Sequence, residues 1–165
     1  MLLDGETWAA QFEGFQSEAW RLETLPQYLV AQEADEYAAF KTGARFPGPY
    51  DDEWTRMVGT RRVGRVHIVT RPLSDYLRFE FERYYQHQAP AGEDIRILDV
   101  TERGNPLPDV QDFWMFDRST VVLMNYEADG RQINRQLYEG DPAPFVEYQR
   151  IAVAESVPFG EYKHR

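Results

Sequence analysis

The chain has 165 residues, a net charge of −10 from 28 acidic and 18 basic side chains, and a composition that is 42% hydrophobic and 15% aromatic. This suits one domain with a core built on large rings, and the acid excess argues against direct nucleic-acid binding, which favours a basic face. The absence of cysteine excludes thiol catalysis, disulfides and thiolate metal sites together.

The first ten residues, MLLDGETWAA, have no basic segment leading into an apolar run. No stretch reaches the ~20 apolar residues of a membrane span. The expectation is a cytoplasmic protein without membrane contact. Asp4 and Thr7 are N-cap candidates for a first helix in which Trp8, Phe12, Phe15 and Ala19 recur at helical spacing, ending near Trp20. RLETLPQYLV alternates loosely and contains Pro26, which predicts an edge strand or an extended arm. QEADEYAAFKTG, with acids first and Lys41 and Gly43 last, predicts a second short helix. After the turn-rich ARFPGPYDDEW, a third helix with an acidic start carries Trp54, Met57 and Val58 on one face. Residues 1–60 therefore read as a helical N-terminal part, fused in a single domain to a sheet-containing part over 61–165.

RRVGR (Arg61, Arg62, Arg65) is the densest basic group and reads as a loop ahead of a strand. VGRVHIVT predicts a buried strand, RPLSDYLRFEFERYYQHQ a helix capped by Ser74, and IRILDV a second buried strand. Strand, helix and strand in so short a span make a βαβ unit with parallel strands. DFWMFD, TVVLMNYE and RQINRQLYE follow as an antiparallel meander, with Asp129-Gly130 a hairpin turn. A last helix runs from about Pro144 to Glu155. The expected class is α/β (α+β): a mixed sheet of about five or six strands, the βαβ unit followed by the meander, with helices on its faces.

The central helix holds the densest chemistry. Leu73, Leu77, Phe81 and Tyr84 form a stripe that should pack on the sheet, and the bland reading of the remainder is a charged outer face. The sharper reading puts Tyr76, Phe79 and Arg83 on a second, exposed face, as in binding hot spots. Arg71, Ser74 and Asp75 follow a buried strand, where an anion could sit at the helix entrance, although Ser74 and Asp75 are also ordinary capping residues. No glycine-rich phosphate loop and no GxSxG elbow is present. His67, His87 and His164 lack metal-ligand spacing, and the acids of EADE and DDE suit first turns of helices, so no metal and no cofactor is expected.

The segments WRLETLPQY, PLSDYLRFE, AGEDIRIL and DFWMFD resemble an uncharacterised actinobacterial domain-of-unknown-function family, over about Thr7 to Tyr162. Its members are commonly encoded beside helix-turn-helix regulators, and it brings no established activity. The strand order is also similar to half of a phospholipase D-like domain. Against that superfamily's HxKxxxxD motif, VQDFWMFD has Val110 for the histidine and Asp112 for the lysine, and only Asp117 matches. This second resemblance implies a non-catalytic relative.

The reading that follows is a non-enzymatic accessory or regulatory protein, binding a protein partner such as a helix-turn-helix regulator, or a small effector. Its surface would comprise Arg71, Asp75, Tyr76, Arg78, Phe79 and Arg83, with Trp114 and Asp117 at the border. The alternatives are an enzyme on an anionic or phosphorylated small molecule, using His67, Arg71 and Asp75 at the strand ends, and a structural component of an oligomer of unstated size.

Overall fold

A computed structural model describes Met1–Arg165. The elements in order are α1 (Gly5–Gly14), β1 (Ala19–Glu23), α2 (Ala34–Lys41), α3 (Glu53–Val58), β2 (Val63–Val69), α4 (Asp75–Glu80), a π-helical turn (Phe81–Tyr85), α5 (Gln86–Ala91), β3 (Asp94–Asp99), β4 (Phe113–Phe116), β5 (Thr120–Tyr126), β6 (Gln132–Leu137), α6 (Ala143–Glu155) and β7 (Val157–Pro158). The strands form one seven-stranded mixed sheet in the order β6-β5-β4-β1-β2-β3-β7. The α/β class is as expected, with seven strands where five or six were read.

The βαβ unit is present: β2 and β3 pair in parallel across the crossover formed by α4, the π turn and α5. The meander β4-β5-β6 is antiparallel, and Gly130, with φ of +93°, supplies the positive backbone angle at its second turn. Helix α6 covers one face of the sheet, where Phe145 and Ala152 pack with Trp20, Leu22, Val66, Ile68 and Phe113. The other face is covered by α1, α3 and the crossover helix, through clusters around Trp114 and Phe116 and around Leu77, Phe81 and Tyr85.

The N-terminal part departs from the sequence reading. Helix α1 stops at Gly14, and Ala19–Glu23 is neither helix end nor edge strand but a fully buried central strand, parallel to β2 and antiparallel to β4. Residues 1–60 thus give the sheet one of its inner strands. Arg65, read as part of a loop, lies buried within β2.

The crossover helix also differs from the single α-helix expected. Five residues, Phe81–Tyr85, wind as a π turn. The wider turn shifts the inner stripe by one residue, so that Tyr85 is buried at 1% exposure where Tyr84 was expected. The second aromatic face is core as well: Tyr76 and Phe79 are 3% and 0% exposed, under Tyr37 and Phe40 of α2 and under Phe46. Their expected role as an exposed binding surface is overturned, because α2 folds back over the helix and needs an apolar face to rest on.

Candidate functional site

On β1, Trp20-Arg21-Leu22-Glu23 alternates apolar and charged, and β2 repeats the pattern with Arg65 and His67 among valines and Ile68. In a strand such alternation sends Arg21 and Glu23 to one face, and Arg65 and His67 to one face. The parallel register puts Arg21 beside Arg65 and Glu23 beside His67. All four are 9% exposed or less, on the face beneath the crossover helix.

Buried charges this dense persist only when paired and hydrogen-bonded. Glu23 is the hub. Its Oε1 accepts from Arg21 Nε and Arg65 Nη1, both at 2.8 Å, and its Oε2 accepts from Tyr85 Oη at 2.8 Å and lies 2.9 Å from His67 Nδ1. Arg65 Nε donates to Glu93, whose other oxygen accepts from Trp54 Nε1 at 2.7 Å. Arg21 Nη2 reaches Asp112 at 3.3 Å and Tyr126 Oη at 3.1 Å. Asp112 also accepts from the Thr24 backbone and hydroxyl, and from Tyr28 Oη. Trp114 is buried, and its ring lies 5.9 Å from both guanidinium centres.

His67 sits where the network is most acidic. Its Nε2 donates to the Leu25 carbonyl at 2.9 Å, while Nδ1 faces Tyr85 Oη at 3.0 Å, Glu23 at 2.9 Å and Glu80 Oε1 at 3.3 Å. Burial opposes a charge on the ring, yet the two carboxylates overcome it and raise its pKa to about 10. Burial likewise opposes charge on Glu23, but Arg21 and Arg65 hold its carboxyl well below the usual range. Glu80, with no arginine in direct contact, is raised by burial and by Glu23. One imidazole and two carboxylates, with donor atoms within 4.8 Å of one another, are also a set able to hold a metal ion.

A cleft of about 430 Å³ opens at the carboxyl end of β1. Asp112 and Tyr126 lie at its base, Leu25, Met124 and Ile133 give apolar wall, and Thr24, Gln111, Asn125 and Asn134 give polar wall. The cleft touches the network only at its Asp112–Tyr126 end. His67 is 0% exposed and not among the lining residues.

The candidate residues read from sequence scatter. Arg71 is half-buried, held by Asp99 at 2.8 Å and Glu102 at 3.5 Å. Ser74 caps Leu77, and Asp75 faces solvent beside Arg78 at 3.4 Å. The enzyme set of His67, Arg71 and Asp75 is therefore not assembled: the partners of His67 are Glu23, Glu80, Tyr85 and Leu25. Arg83 is not on an open face but pairs with Glu36 at 2.9 Å and lies 3.9 Å from the Tyr50 ring centre. Trp114, expected at a crevice border, is core.

Asp117 serves the backbone. It occupies a left-handed conformation with φ of 56°, and its carboxylate accepts the amides of Gln16 (2.8 Å), Ser17 (2.6 Å) and Glu18 (3.1 Å) in the loop after α1. Its slight burial acts in the opposite direction, but these amides hold its pKa at about 2. A folded-state pKa below the unfolded one gives stability that is present above the unfolded value of 3.8 and lost as pH falls through about 2. Asp117→Asn keeps the backbone preference and removes the charge. It should lose on the order of 1 kcal/mol at neutral pH, as a lost cap does, with the gap to the parent closing towards pH 2. Thermal melts of both proteins across pH 2–7 test this; a gap constant with pH would contradict it.

Sequence reasoning missed Arg21, Glu23, Glu80, Glu93, Tyr85 and Tyr126. The signal was the same charge-every-second-residue pattern in two separate apolar runs, Trp-Arg-Leu-Glu and Gly-Arg-Val-His. The chain matches, over residues 6–164, the model of a family described as "Domain of unknown function (DUF6879)", and it belongs to that family. No curated protein matches it.

Proposed function

We propose that this DUF6879 chain is a non-enzymatic accessory protein that docks a basic protein partner. The family resemblance read from the sequence, to proteins commonly encoded beside helix-turn-helix regulators, suggests such a regulator as that partner. The observation that carries this reading is that the acid–base network is buried, meeting the cleft only at Asp112 and Tyr126, while the excess of acid is outside. Arg21, Arg65 and His67 are buried with Glu23, Glu80, Glu93 and Asp112, so most of the −10 net charge is left to the surface. An acidic surface steers a basic partner and makes association salt-sensitive.

The docking place best supported is the rim around the β1 cleft and the β6 edge. Leu29, Val30 and Ile133 are 51%, 40% and 53% exposed, and Leu29 is bridged to Arg131 just ahead of β6. Glu127 and Asp129 stand in the adjoining turn. Apolar anchors beside acids suit a basic segment with an apolar residue of its own. The phospholipase D-like comparison supports the non-catalytic side of the reading: Val110 cannot act as a nucleophile, Asp112 is spent on Thr24, Tyr28 and Arg21, and Asp117 on backbone amides.

Native mass spectrometry of the protein purified gently from its source should find a basic protein bound at low ionic strength and released at high. Leu29→Asp with Ile133→Asp should weaken that association by about tenfold or more, with an unchanged melting temperature. Binding unaffected by the pair would exclude this rim. A retained small molecule in place of a protein would make the cleft an effector site.

A further inference from the structure

We infer that the buried set Glu23, His67, Glu80 and Tyr85 is a binding site for a divalent transition-metal ion. The inference rests on geometry and goes beyond the partner reading, which concerns the outer rim. His67 keeps a proton on Nε2, donated to the Leu25 carbonyl, so Nδ1 is the ring atom left to take a second proton or a metal. Around Nδ1 stand three oxygens: Glu23 Oε2 at 2.9 Å, Tyr85 Oη at 3.0 Å and Glu80 Oε1 at 3.3 Å. Nδ1 facing two carboxylates calls for a positive charge there, which either a proton or a metal ion supplies.

Glu80 provides the second observation. Its Oε1 is buried and has no hydrogen-bond partner, although it is the oxygen turned to His67. An orphaned carboxylate oxygen at 7% exposure is costly. The arginines do not relieve it: Arg21 and Arg65 direct their bonds to Glu23 Oε1, Asp112 and Glu93, and Arg21 Nη1 has no partner at all. Glu23 Oε2 is left for His67 and Tyr85.

Charge closes on the same answer. Two arginines face four carboxylates in this network: Glu23, Glu80, Glu93 and Asp112. A divalent ion with a neutral His67 balances them, whereas a proton on the ring alone leaves one negative charge over and requires a second proton on Glu80. The separations fit as well. Zinc with nitrogen and oxygen ligands at about 2.0–2.2 Å places tetrahedral ligands roughly 3.3–3.6 Å apart. The separations of 2.9 to 3.3 Å from Nδ1, and of 2.8 Å between Glu23 and Tyr85, need an expansion of about half an ångström to admit the ion. The π turn supplies the aim. Residues five apart share a face of a π-helix but not of an α-helix, and Glu80 and Tyr85 are five apart, bracketing that turn.

Because the site is closed, the ion would enter during folding and leave only on unfolding. The test is to unfold the full chain in denaturant with chelator, then refold it with Zn²⁺, with Mn²⁺, or without metal, and pass each through a chelating column. The expected result is about one ion retained per chain from one of the metal refolds, with a higher melting temperature than the metal-free refold. Glu80→Gln, which keeps the shape and removes the ligand charge, should retain at least about tenfold less. The ¹⁵N shifts of His67 keep the test decisive should that variant misfold: metal on Nδ1 and a proton on Nε2 support the site. Neither ion retained by the parent, with both ring nitrogens protonated, overturns it. So does a Glu80→Gln protein that melts as the parent does and holds as much metal.

Discussion

Glu23→Ala should cost about 3–5 kcal/mol of folding stability, the largest loss expected from any single change to the buried network. The reason is what remains behind. Glu23 is the common acceptor of Arg21, Arg65 and Tyr85 and a neighbour of His67. Without it, two guanidinium groups lie side by side in register on β1 and β2 with their shared counter-charge gone. Asp112 and Glu93 still pair with Arg21 and Arg65, but the donors aimed at Glu23 are left without an acceptor in a dry environment, and their desolvation has already been incurred. A domain with roughly 5–15 kcal/mol in hand would be left marginal. Urea unfolding monitored by tryptophan fluorescence measures it. A loss below about 1 kcal/mol would mean that water reaches the network and screens it.

Phe79→Ala should cost a similar amount, about 3–5 kcal/mol, and Tyr76→Ala added to it should leave little folded protein at room temperature. The Phe79 ring is 0% exposed, with its centre 5.3 to 5.9 Å from those of Tyr37, Phe40, Phe46 and Tyr84. Removal opens a cavity beneath α2, whose own helix is too short to stand alone. Tyr76 adds a hydrogen bond from its hydroxyl to Glu33 at 2.8 Å, so its loss also strands a partly buried carboxylate. Arg78→Ala, one residue away but exposed, should stay within about 0.5 kcal/mol of the parent. Circular dichroism melts of the three variants separate the core reading from a surface one: a folded double variant would return Tyr76 and Phe79 to the surface.

The sequence announces those elements whose signals are local. Acidic first turns mark α2 and α3, a β-branched run marks β2, and Asp129-Gly130 marks the last hairpin; the structure has each where it was read. Central strand β1 is hidden because its alternation of charge and hydrophobe imitates a strand with one wet face. Only the fold reveals that this polar side lies beside the charged residues of β2 and is covered by the crossover helix. The π turn is hidden too, since a stripe at Leu73, Leu77 and Phe81 is compatible with Tyr84 or Tyr85 as its next member, and a single extra residue per turn leaves no mark in composition. The site was half visible: His67 was singled out for the enzyme alternative, but its partners Glu23 and Glu80 come from separate segments and meet only through the β1–β2 register and the crossover.

That register has a consequence for how the chain finds its fold. Strands β1 and β2 are separated by some forty residues and pair in parallel, with no tight turn to align them. Apolar strands of this kind can slide. Here a slide of one residue would flip every side chain of β1 across the sheet, delivering Arg21 and Glu23 to the aromatic layer under α6 and Trp20 and Leu22 to the charged one. The ion pairs therefore act as a combination lock on strand alignment. Charge that adds little to net stability penalises the one-residue slides that would bury it in the aromatic layer, and so narrows the sheets that hydrophobicity alone would tolerate.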